Sequence, residues 1–287
     1  MIHVIYNPVA GPKSVRKIDR IREAVARTEK PFVVRETEGA GDATLFAREA
    51  AATGAEAVVA AGGDGTINEV ANGLAGSAVP LLIVAHGTGN VFARELALPH
   101  SVEECIGLLS KGRRITIPLA RAEGRHFAIV ASAGFDAEVV ERVRSSHKNR
   151  LGIAAYVLAG MRHYFRPQTS LWLEFPGRER VEAQSVVLCR GKMYGGGVVM
   201  APEADLEHPG LHAVILKKKG RWALLRFVVA VLRGKHLASR HVEHRVTDSL
   251  WVRSTIPSAA QVDGEYLGPL PARFEMTEKT LTLVVPA

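Results

Sequence analysis

Residues 60–70, AAGGDGTINEV, combine a glycine cluster, an aspartate and the start of a helix. An apolar run precedes them and predicts a buried strand. Thr66 and Glu69 have the spacing of a capping box, which predicts a helix beginning at Thr66. The glycines let a phosphate approach the backbone, and the helix points free N–H groups and its positive dipole end at the same place. Asp64 adds a carboxylate suited to Mg²⁺ or to a substrate hydroxyl.

Taken alone, a strand, a glycine loop and a helix also describe a simple tight turn. Neither of the nucleotide-binding patterns GxxxxGK[ST] and GxGxxG occurs in the chain. Two further loops favour a ligand site: NPVAG (7–11) follows the first predicted strand, and HGTGN (86–90) follows a strand at 80–85. Because the carboxyl ends of parallel strands meet at one edge of a sheet, we expect the three loops to lie together.

The first third of the chain alternates between strand and helix patterns. Helical spacing of apolar residues predicts helices at 14–28 and 42–54, with Ser14 and Asp42 as N-caps. Short apolar runs predict four strands, at 2–7, 31–37, 55–61 and 80–85. This alternation is typical of a mainly parallel sheet with helices on both faces.

After about residue 115 the pattern changes to short alternating strands with turn residues between them, interrupted by helices near 150–165 and 221–233. We predict two strands around a turn at Glu123-Gly124 and a hairpin with its turn near Pro176-Gly177. The sequence therefore predicts a three-layer α/β domain over 1–115, which the C-terminal strand could complete, and a mostly antiparallel β-sandwich domain over 116–287.

Composition narrows the classes of function. Of the 287 residues, 47% are hydrophobic and 23% are charged, which is a typical composition for a globular protein. Its net charge of +8 favours anionic partners, but no nucleic-acid-binding motif is present and we expect no nucleic-acid partner. Two distant cysteines, no signal-peptide pattern and no apolar run of roughly 18–20 residues predict a cytoplasmic protein that touches membranes only at their surface.

Five segments, in order, resemble the diacylglycerol kinase catalytic-domain family, which includes soluble bacterial lipid kinases and the sphingosine and ceramide kinases. The GGDGT motif alone is shared with NAD kinases and phosphofructokinases, whereas the combination is far more specific and spans nearly the whole chain. The segments are NPVAG (7–11), GGDGTINEV (62–70), GTGNVFARE (87–95), GFDAEVV (134–140) and VDGEYL (262–267).

The resemblance implies a two-domain kinase related in fold to NAD kinase and phosphofructokinase, with ATP as phosphate donor, Mg²⁺ as cofactor and the nucleotide between the domains. It implies that Glu265 is the general base, with Asp263 its neighbour, and that Asp64 takes part in catalysis. From the residues alone, VDGE is a hairpin turn. The implied nucleotide-binding residues are Asn7, Pro8, Val9, Ala10, Gly11, Thr37, Gly63, Asp64, Gly65, Thr66, Ile67, Asn68, Glu69 and Thr88.

Two positions depart from the family pattern. Val91 stands where the third motif often has an aspartate, so a polar contact is expected to be missing. Pro209 stands where related bacterial kinases have the aspartate of an Asp-Gly pair, in a loop whose acidic residues help hold a structural Mg²⁺. By the resemblance, Asp205 is the metal ligand that this loop still has, and Glu207 is the other acidic candidate. The proline at position 209 argues against a structural Mg²⁺ in this chain.

Two segments have two interpretations each. The apolar stretch 217–236 has basic flanks and a tryptophan, which suits a helix packed on the β domain, a helix pressed against an anionic bilayer, or both. Asp136 is either a contact for a lipid head group or a solvated or capping residue.

We predict an ATP-dependent kinase whose acceptor is a lipid hydroxyl, most simply that of diacylglycerol. A sphingoid-base or ceramide kinase, an NAD-kinase-like enzyme and a non-catalytic nucleotide or lipid sensor remain alternatives. A homodimer is left open.

Overall fold

The computed structural model describes residues 1–10, 14–87, 89–145, 170–177 and 180–287. The helix predicted near 150–165, Gly11 and Thr88 lie outside the described residues. The chain divides into an N-terminal unit, residues 1–119 with 277–287, and a C-terminal unit, residues 120–276.

The N-terminal unit is built on a parallel sheet. Its first four strands are β1 (Ile2–Tyr6), β2 (Phe32–Glu36), β3 (Ala57–Gly62) and β4 (Leu81–Ala85). They lie in the order β2-β1-β3-β4, and the end of the last strand, β18 (Ala272–Val285), pairs in parallel with β4 through Leu283 and Leu81. The β-branched and apolar residues of β1 are all buried, as expected for a central strand covered on both faces.

In the part of this unit that the structure describes, five helices follow the strands: α1 (Ser14–Ala26), α2 (Asp42–Ala52), α3 (Asp64–Leu74), α4 (Val91–Glu95) and α5 (Val102–Lys111). The helical spacing in α1 buries Ile18, Ile21 and Val25 in one core cluster with β1 and β3. Helices α2 and α3 approach so closely that a Cβ on Gly73 would lie 2.5 Å from the Cβ of Ala47. This close packing fixes α3, the helix that begins with the glycine motif.

The C-terminal unit contains two antiparallel layers. One layer has the order β14 (Val242–Thr247), β13 (Leu211–Leu216), β10 (Ser185–Cys189), β7 (Val130–Gly134), β16 (Ala259–Val262) and β17 (Glu265–Pro269). The other layer places β15 (Ser249–Ser254) between β8 (Leu171–Glu174) and the first residues of β18, with β9 (Arg180–Ala183) beside β8. Inward-facing apolar residues of the two layers, such as Leu188 and Phe274, share one core cluster.

The structure describes further strands and helices in this part of the chain. The strands are β5 (Arg113–Ala122), which begins in the N-terminal unit, β6 (Arg125–Phe127), β11 (Met193–Tyr194) and β12 (Val198–Val199), and the helices are α6 (Phe135–Ser145) and α7 (Arg221–Leu232). None of the helices within these described ranges has the length and apolar character that a membrane span requires.

The predicted fold class, an α/β unit with a mainly parallel sheet followed by an antiparallel β-sandwich, is confirmed. Glu123 and Gly124 form the predicted turn with left-handed φ angles of 46° and 82°. The prediction of two strands over 114–135 was wrong, because Val130 begins a third strand, β7, that pairs in the other layer.

Candidate active site

The three loops expected to share an edge leave the carboxyl ends of neighbouring strands β1, β3 and β4. The strands run in register, with Tyr6 opposite Ala61 and Gly62 opposite Ala85. The N–H of Asn7 donates to the Ala61 carbonyl at 3.0 Å, and the N–H of His86 donates to the Gly62 carbonyl at 2.8 Å. The start of each loop is therefore tied to its neighbour.

Asp64 connects the second loop to the third. Its Oδ1 accepts the N–H of Val91 at 2.8 Å, at the start of α4. Burial raises the pKa of the Asp64 carboxyl, and the amides of residues 90–92 oppose that rise. This bond comes from the backbone of residue 91 and does not replace the side-chain contact expected to be missing, because the valine side chain has no polar atom.

Glycines allow the two loops to touch. A Cβ on Gly87 would lie 3.0 Å from the Cα of Gly63, and a Cβ on Gly89 would lie 2.7 Å from Oδ2 of Asp64. Side chains at these positions would push the loops apart or displace the carboxylate. The glycines are needed for this close approach.

Asn7 connects the first loop to the second. Its Nδ2 donates to Oγ1 of Thr66 at 3.0 Å, and its Oδ1 accepts the N–H of Val9 at 3.0 Å. The side chain of Val9, which lies between Pro8 and Ala10, is 86% exposed and does not anchor the loop in the core. The hydrogen bond from the Val9 amide to Asn7 therefore helps to set the backbone of this loop.

The capping box predicted at Thr66 was wrong. The helix α3 begins at Asp64, with Gly63 as its N-cap and no side-chain cap. Glu69 instead accepts the N–H of Gly41 at 3.0 Å through Oε2. This bond holds the loop that follows Thr37, whose N–H donates to the Tyr6 carbonyl at 2.9 Å.

The predicted N-cap at Asp42 was also wrong, because Gly41 is the N-cap of α2. The Asp42 carboxylate accepts the N–H groups of Glu38 and Gly39, both at 2.8 Å, and so closes the preceding loop.

Other predicted residues are part of α3 itself. Ile67 is fully buried and Asn68 is 3% exposed, so any role in nucleotide binding runs through the position of the helix. Gly65 and Thr66 lie in its first turn. His86, which sequence reasoning did not select, is buried beside these loops, and burial lowers its pKa to about 4. Its imidazole is therefore neutral at physiological pH.

In the C-terminal unit, Glu265 is the first residue of β17 and follows a two-residue hairpin turn. Asp263 and Gly264 form this turn with φ angles of 46° and 83°. The Glu265 carboxylate accepts a hydrogen bond from Nη2 of Arg125 at 2.5 Å. Arg125 was missed from sequence because its partner lies 140 residues away.

Asp263 has a different task from Glu265. Its carboxylate accepts three backbone N–H groups: those of Ala128 at 3.0 Å, Ile129 at 3.0 Å and Val130 at 2.9 Å. These bonds fix the hairpin turn to the start of β7. Asp263 therefore positions the turn that presents Glu265.

Asp136 is half-buried, and its carboxylate is bound within a network of polar side chains, which argues against the solvated interpretation. Ser132 and Tyr194 donate hydroxyl hydrogen bonds to its two carboxylate oxygens, and Nε2 of Gln261 donates to Oδ2 at 3.3 Å. The Gln261 Oε1 accepts the N–H of Gly264 at 2.8 Å, so the network reaches the Glu265 turn. Burial raises the pKa of Asp136, and the three donors oppose that rise.

Asp205 lies in the loop between β12 and β13. Its oxygens accept the N–H of Glu207 at 3.0 Å and contact Nδ1 of His208 at 2.8 Å. The amide of Glu207 lowers the pKa of the carboxyl despite partial burial. Within the described parts of the chain, no cluster of three or more histidine, cysteine, aspartate or glutamate residues is arranged to hold a metal ion.

Comparison with known proteins places both units in one family. The sequence profile of the diacylglycerol kinase catalytic domain matches residues 1–122, and that of the YegS C-terminal NAD kinase beta sandwich-like domain matches residues 129–285. The diacylglycerol kinase of Bacillus subtilis (strain 168) is 31% identical over 290 residues, which cover 99% of this chain and 95% of the relative. That of Staphylococcus carnosus (strain TM300) is 27% identical, over 99% of this chain and 94% of the relative.

The fold agrees. The crystal structure of a diacylglycerol kinase from Bacillus anthracis (strain Sterne) matches with a TM-score of 0.80 at 24% identity, over 99% of this chain and 96% of that chain. The family profiles, the full-length relatives and the fold lead to one assignment: this chain belongs to the diacylglycerol kinase family and is a lipid kinase.

Proposed function

We propose that the protein transfers the γ-phosphate of ATP to the hydroxyl of diacylglycerol or a closely related lipid. The observation that carries the proposal is the bond between Asp64 and the Val91 amide, which joins two glycine loops at the carboxyl edge of the parallel sheet. Ligands bind at this edge in open α/β sheets. The similarity to diacylglycerol kinases along the full chain supports the acceptor class.

The N-terminal unit is proposed to hold the nucleotide. The predicted nucleotide-binding residues are those of the first loop from Asn7 to Gly11, Thr37, residues 63–69 at the start of α3, and Thr88 of the third loop. Amide N–H groups and glycines suit a phosphate chain, because they donate hydrogen bonds and allow close approach. Asn7 and Asp64 hold the loops in the shape that binding requires, so little ordering is left for the nucleotide to impose.

Mg²⁺ is proposed to arrive with the nucleotide, where it would neutralise phosphate charge. The donor set fits this role and does not fit a cage built by protein alone. Asp64 offers a carboxylate beside the glycine loops, and Mg²⁺ is commonly bound by one or two carboxylates together with substrate phosphates. A larger acidic cluster is absent from the described residues.

Glu265 is proposed to act as the general base. It accepts the proton of the lipid hydroxyl as that oxygen bonds to the γ-phosphorus and the bond to the β–γ bridging oxygen breaks, releasing ADP. Arg125 orients the carboxylate by its hydrogen bond, and Asp263 fixes the turn beneath it. Each of these contacts lies within the C-terminal unit.

Helix α7 is proposed to bring the cytoplasmic enzyme to an anionic bilayer, where its substrate is found. Its outer face presents Trp222 at 70% exposure and Leu232 at 69%, with Leu225 and Val228 between them at helical spacing. Residues 217–240 contain eight lysines and arginines and no acidic residue. An apolar stripe with a basic surround is typical of a helix that lies in a membrane interface.

A kinase assay with labelled ATP and Mg²⁺ tests the proposal. Diacylglycerol, monoacylglycerol, sphingosine and ceramide in mixed micelles serve as acceptors, with NAD as a soluble alternative. Transfer to diacylglycerol that is lost in Glu265→Gln supports the assignment. Transfer to sphingosine or ceramide alone would change the acceptor, transfer to NAD alone would indicate an NAD-kinase-like enzyme, and ATP binding without turnover would indicate a sensor.

A further inference from the structure

Arg190 is the largest fully buried side chain of the described residues and carries a charge into the C-terminal unit. It follows strand β10 and has no exposed surface. Its Nη1 donates to the carbonyl oxygens of His208 at 2.7 Å and Gly210 at 2.8 Å, and its Nη2 donates to that of Leu206 at 2.9 Å. The guanidinium therefore binds the carbonyl oxygens of every second residue from 206 to 210, in the loop between β12 and β13.

These carbonyls converge as they would on a bound cation. Backbone carbonyl oxygens are common ligands of hard cations in loops of this kind. The charge at their centre is the guanidinium, which stays protonated at physiological pH even though burial lowers its pKa to about 10. A divalent ion placed beside it would be repelled and would lose these carbonyl ligands to Arg190.

Asp205, the predicted metal ligand, does not restore such a site. One of its oxygens accepts the Glu207 amide and the other contacts the His208 ring, so the carboxylate closes its own loop. Its negative charge stabilises the charged form of Arg190. The residues present do not fit a structural metal ion at this loop.

The backbone of Arg190 reaches the turn that carries Glu265. The N–H of Arg190 donates to the Ile129 carbonyl at 2.8 Å, and the N–H of Ile129 donates to the Asp263 carboxylate at 3.0 Å. Asp263 stands two residues before Glu265. Arg190 thus connects the 205–210 loop to the turn through the backbone of Ile129.

We propose that the Arg190 guanidinium takes the place of a structural metal ion in the 205–210 loop and that Arg190 is a positioning residue for Glu265. The first part does not depend on the proposed reaction, and the second part rests on it. The enzyme then needs a divalent ion only with its nucleotide.

Thermal unfolding of the full chain tests the first part. It is measured without nucleotide, once in a chelator and once in millimolar MgCl₂. For the wild type we expect the same midpoint of thermal unfolding in chelator and in MgCl₂. We expect Arg190→Gln to lower this midpoint by roughly 5–15 °C, because breaking a buried charged network is strongly destabilising. An Mg²⁺-dependent rise in the wild-type midpoint of several degrees would overturn the replacement of the metal, and this measurement needs no folded variant.

Arg190→Lys tests the second part, since it keeps the charge and loses the planar fork that spans three carbonyls. After wild-type activity has been shown, we expect kcat per folded molecule to fall about 10-fold, with the KM for ATP within about twofold of wild type, as misplacement of a base lowers kcat. Arg273→Lys, at an exposed arginine, is the matched control. An unchanged kcat per folded molecule in Arg190→Lys would reduce Arg190 to a purely structural residue and overturn the second part.

Discussion

The Oδ1 of Asp64 lies 2.8 Å from the backbone nitrogen of Val91 and accepts its hydrogen bond. The aspartate of one motif thereby holds the start of the helix that follows another. The bond uses the amide of Val91, which any residue except proline would supply at this position. The Asp64 carboxylate is half-buried in this arrangement, and burial raises its pKa.

Asp64→Asn should separate activity from stability. The substitution removes the charge and the lone pairs offered to a metal, so we expect kcat to fall about 10²–10³-fold, as when a preorganised electrostatic group is lost. The unfolding free energy at pH 7 should be equal to or above that of the wild type. The kinase assay and urea unfolding on the same preparations measure both.

The difference in unfolding free energy between Asp64→Asn and the wild type should change with pH in a definite direction. Because the folded pKa of Asp64 is raised, its contribution to stability is full below the unfolded pKa, about 3.9, and is lost as pH rises through the folded value. The advantage of Asp64→Asn should therefore grow from pH 4 to pH 7. Asp42→Asn is the matched control, and its stability relative to the wild type should change with pH in the opposite direction, since two amides lower the pKa of Asp42. A constant difference for Asp64→Asn across this range would contradict the burial argument.

Glu265→Gln and Asp263→Ala should fail in different ways. Glu265→Gln removes the proposed general base, the carboxylate that Arg125 binds, and we expect kcat to fall about 10²–10⁴-fold with little change in unfolding free energy. The second leaves three N–H groups without their acceptor, and we expect a loss of about 3 kcal/mol or more in unfolding free energy. Assays and urea titrations of both variants check this, and comparable destabilisation by Glu265→Gln would mean that Glu265 is chiefly structural.

The sequence predicted the parallel sheet and the edge where its loops meet, because strand and helix periodicity and glycine loops are local signals. It did not predict how the side chains pair. Thr66 and Glu69 have capping-box spacing, yet they bind Asn7 and Gly41, which come from other strand ends. Arg125, Tyr194 and Arg190 were missed for the same reason, since their partners are brought close only by the β-sandwich.

Tyr194→Phe should destabilise the protein more at pH 8 than at pH 5. Tyr194 donates its hydroxyl to the half-buried Asp136 carboxylate, and this bond opposes the rise in the pKa of Asp136 caused by burial. Its loss raises that pKa further, and the penalty applies to the charged form. We expect a loss of about 1–3 kcal/mol when the carboxyl is ionised and a smaller loss when it is protonated. Urea unfolding at the two pH values measures it, and an equal loss at both would mean that Asp136 does not ionise in this range.

The outer face of α7 should determine binding to vesicles. Trp222 and Leu232 each expose about 70% of their surface, so their replacement removes apolar area without disturbing the core side chains Leu224 and Val231. We expect Trp222→Ser with Leu232→Ser to weaken sedimentation with phosphatidylglycerol vesicles by at least about 10-fold, since burying one large apolar side chain contributes roughly 1.5–3 kcal/mol. Ile256→Ser, 42% exposed on a loop of the same unit, is the matched control and should bind as the wild type does.

The charge of this helix predicts a second dependence that separates the bilayer from other apolar partners. Binding to phosphatidylglycerol should fall as salt rises, and binding to phosphatidylcholine alone should be weak at any salt, because basic residues near an anionic surface contribute about 1 kcal/mol each and are screened. Arg226→Gln with Arg233→Gln should reduce the salt dependence while the tryptophan stays in place. Equal binding of the wild type to both lipids would mean that the apolar stripe acts alone, and binding to neither would remove α7 as the membrane contact.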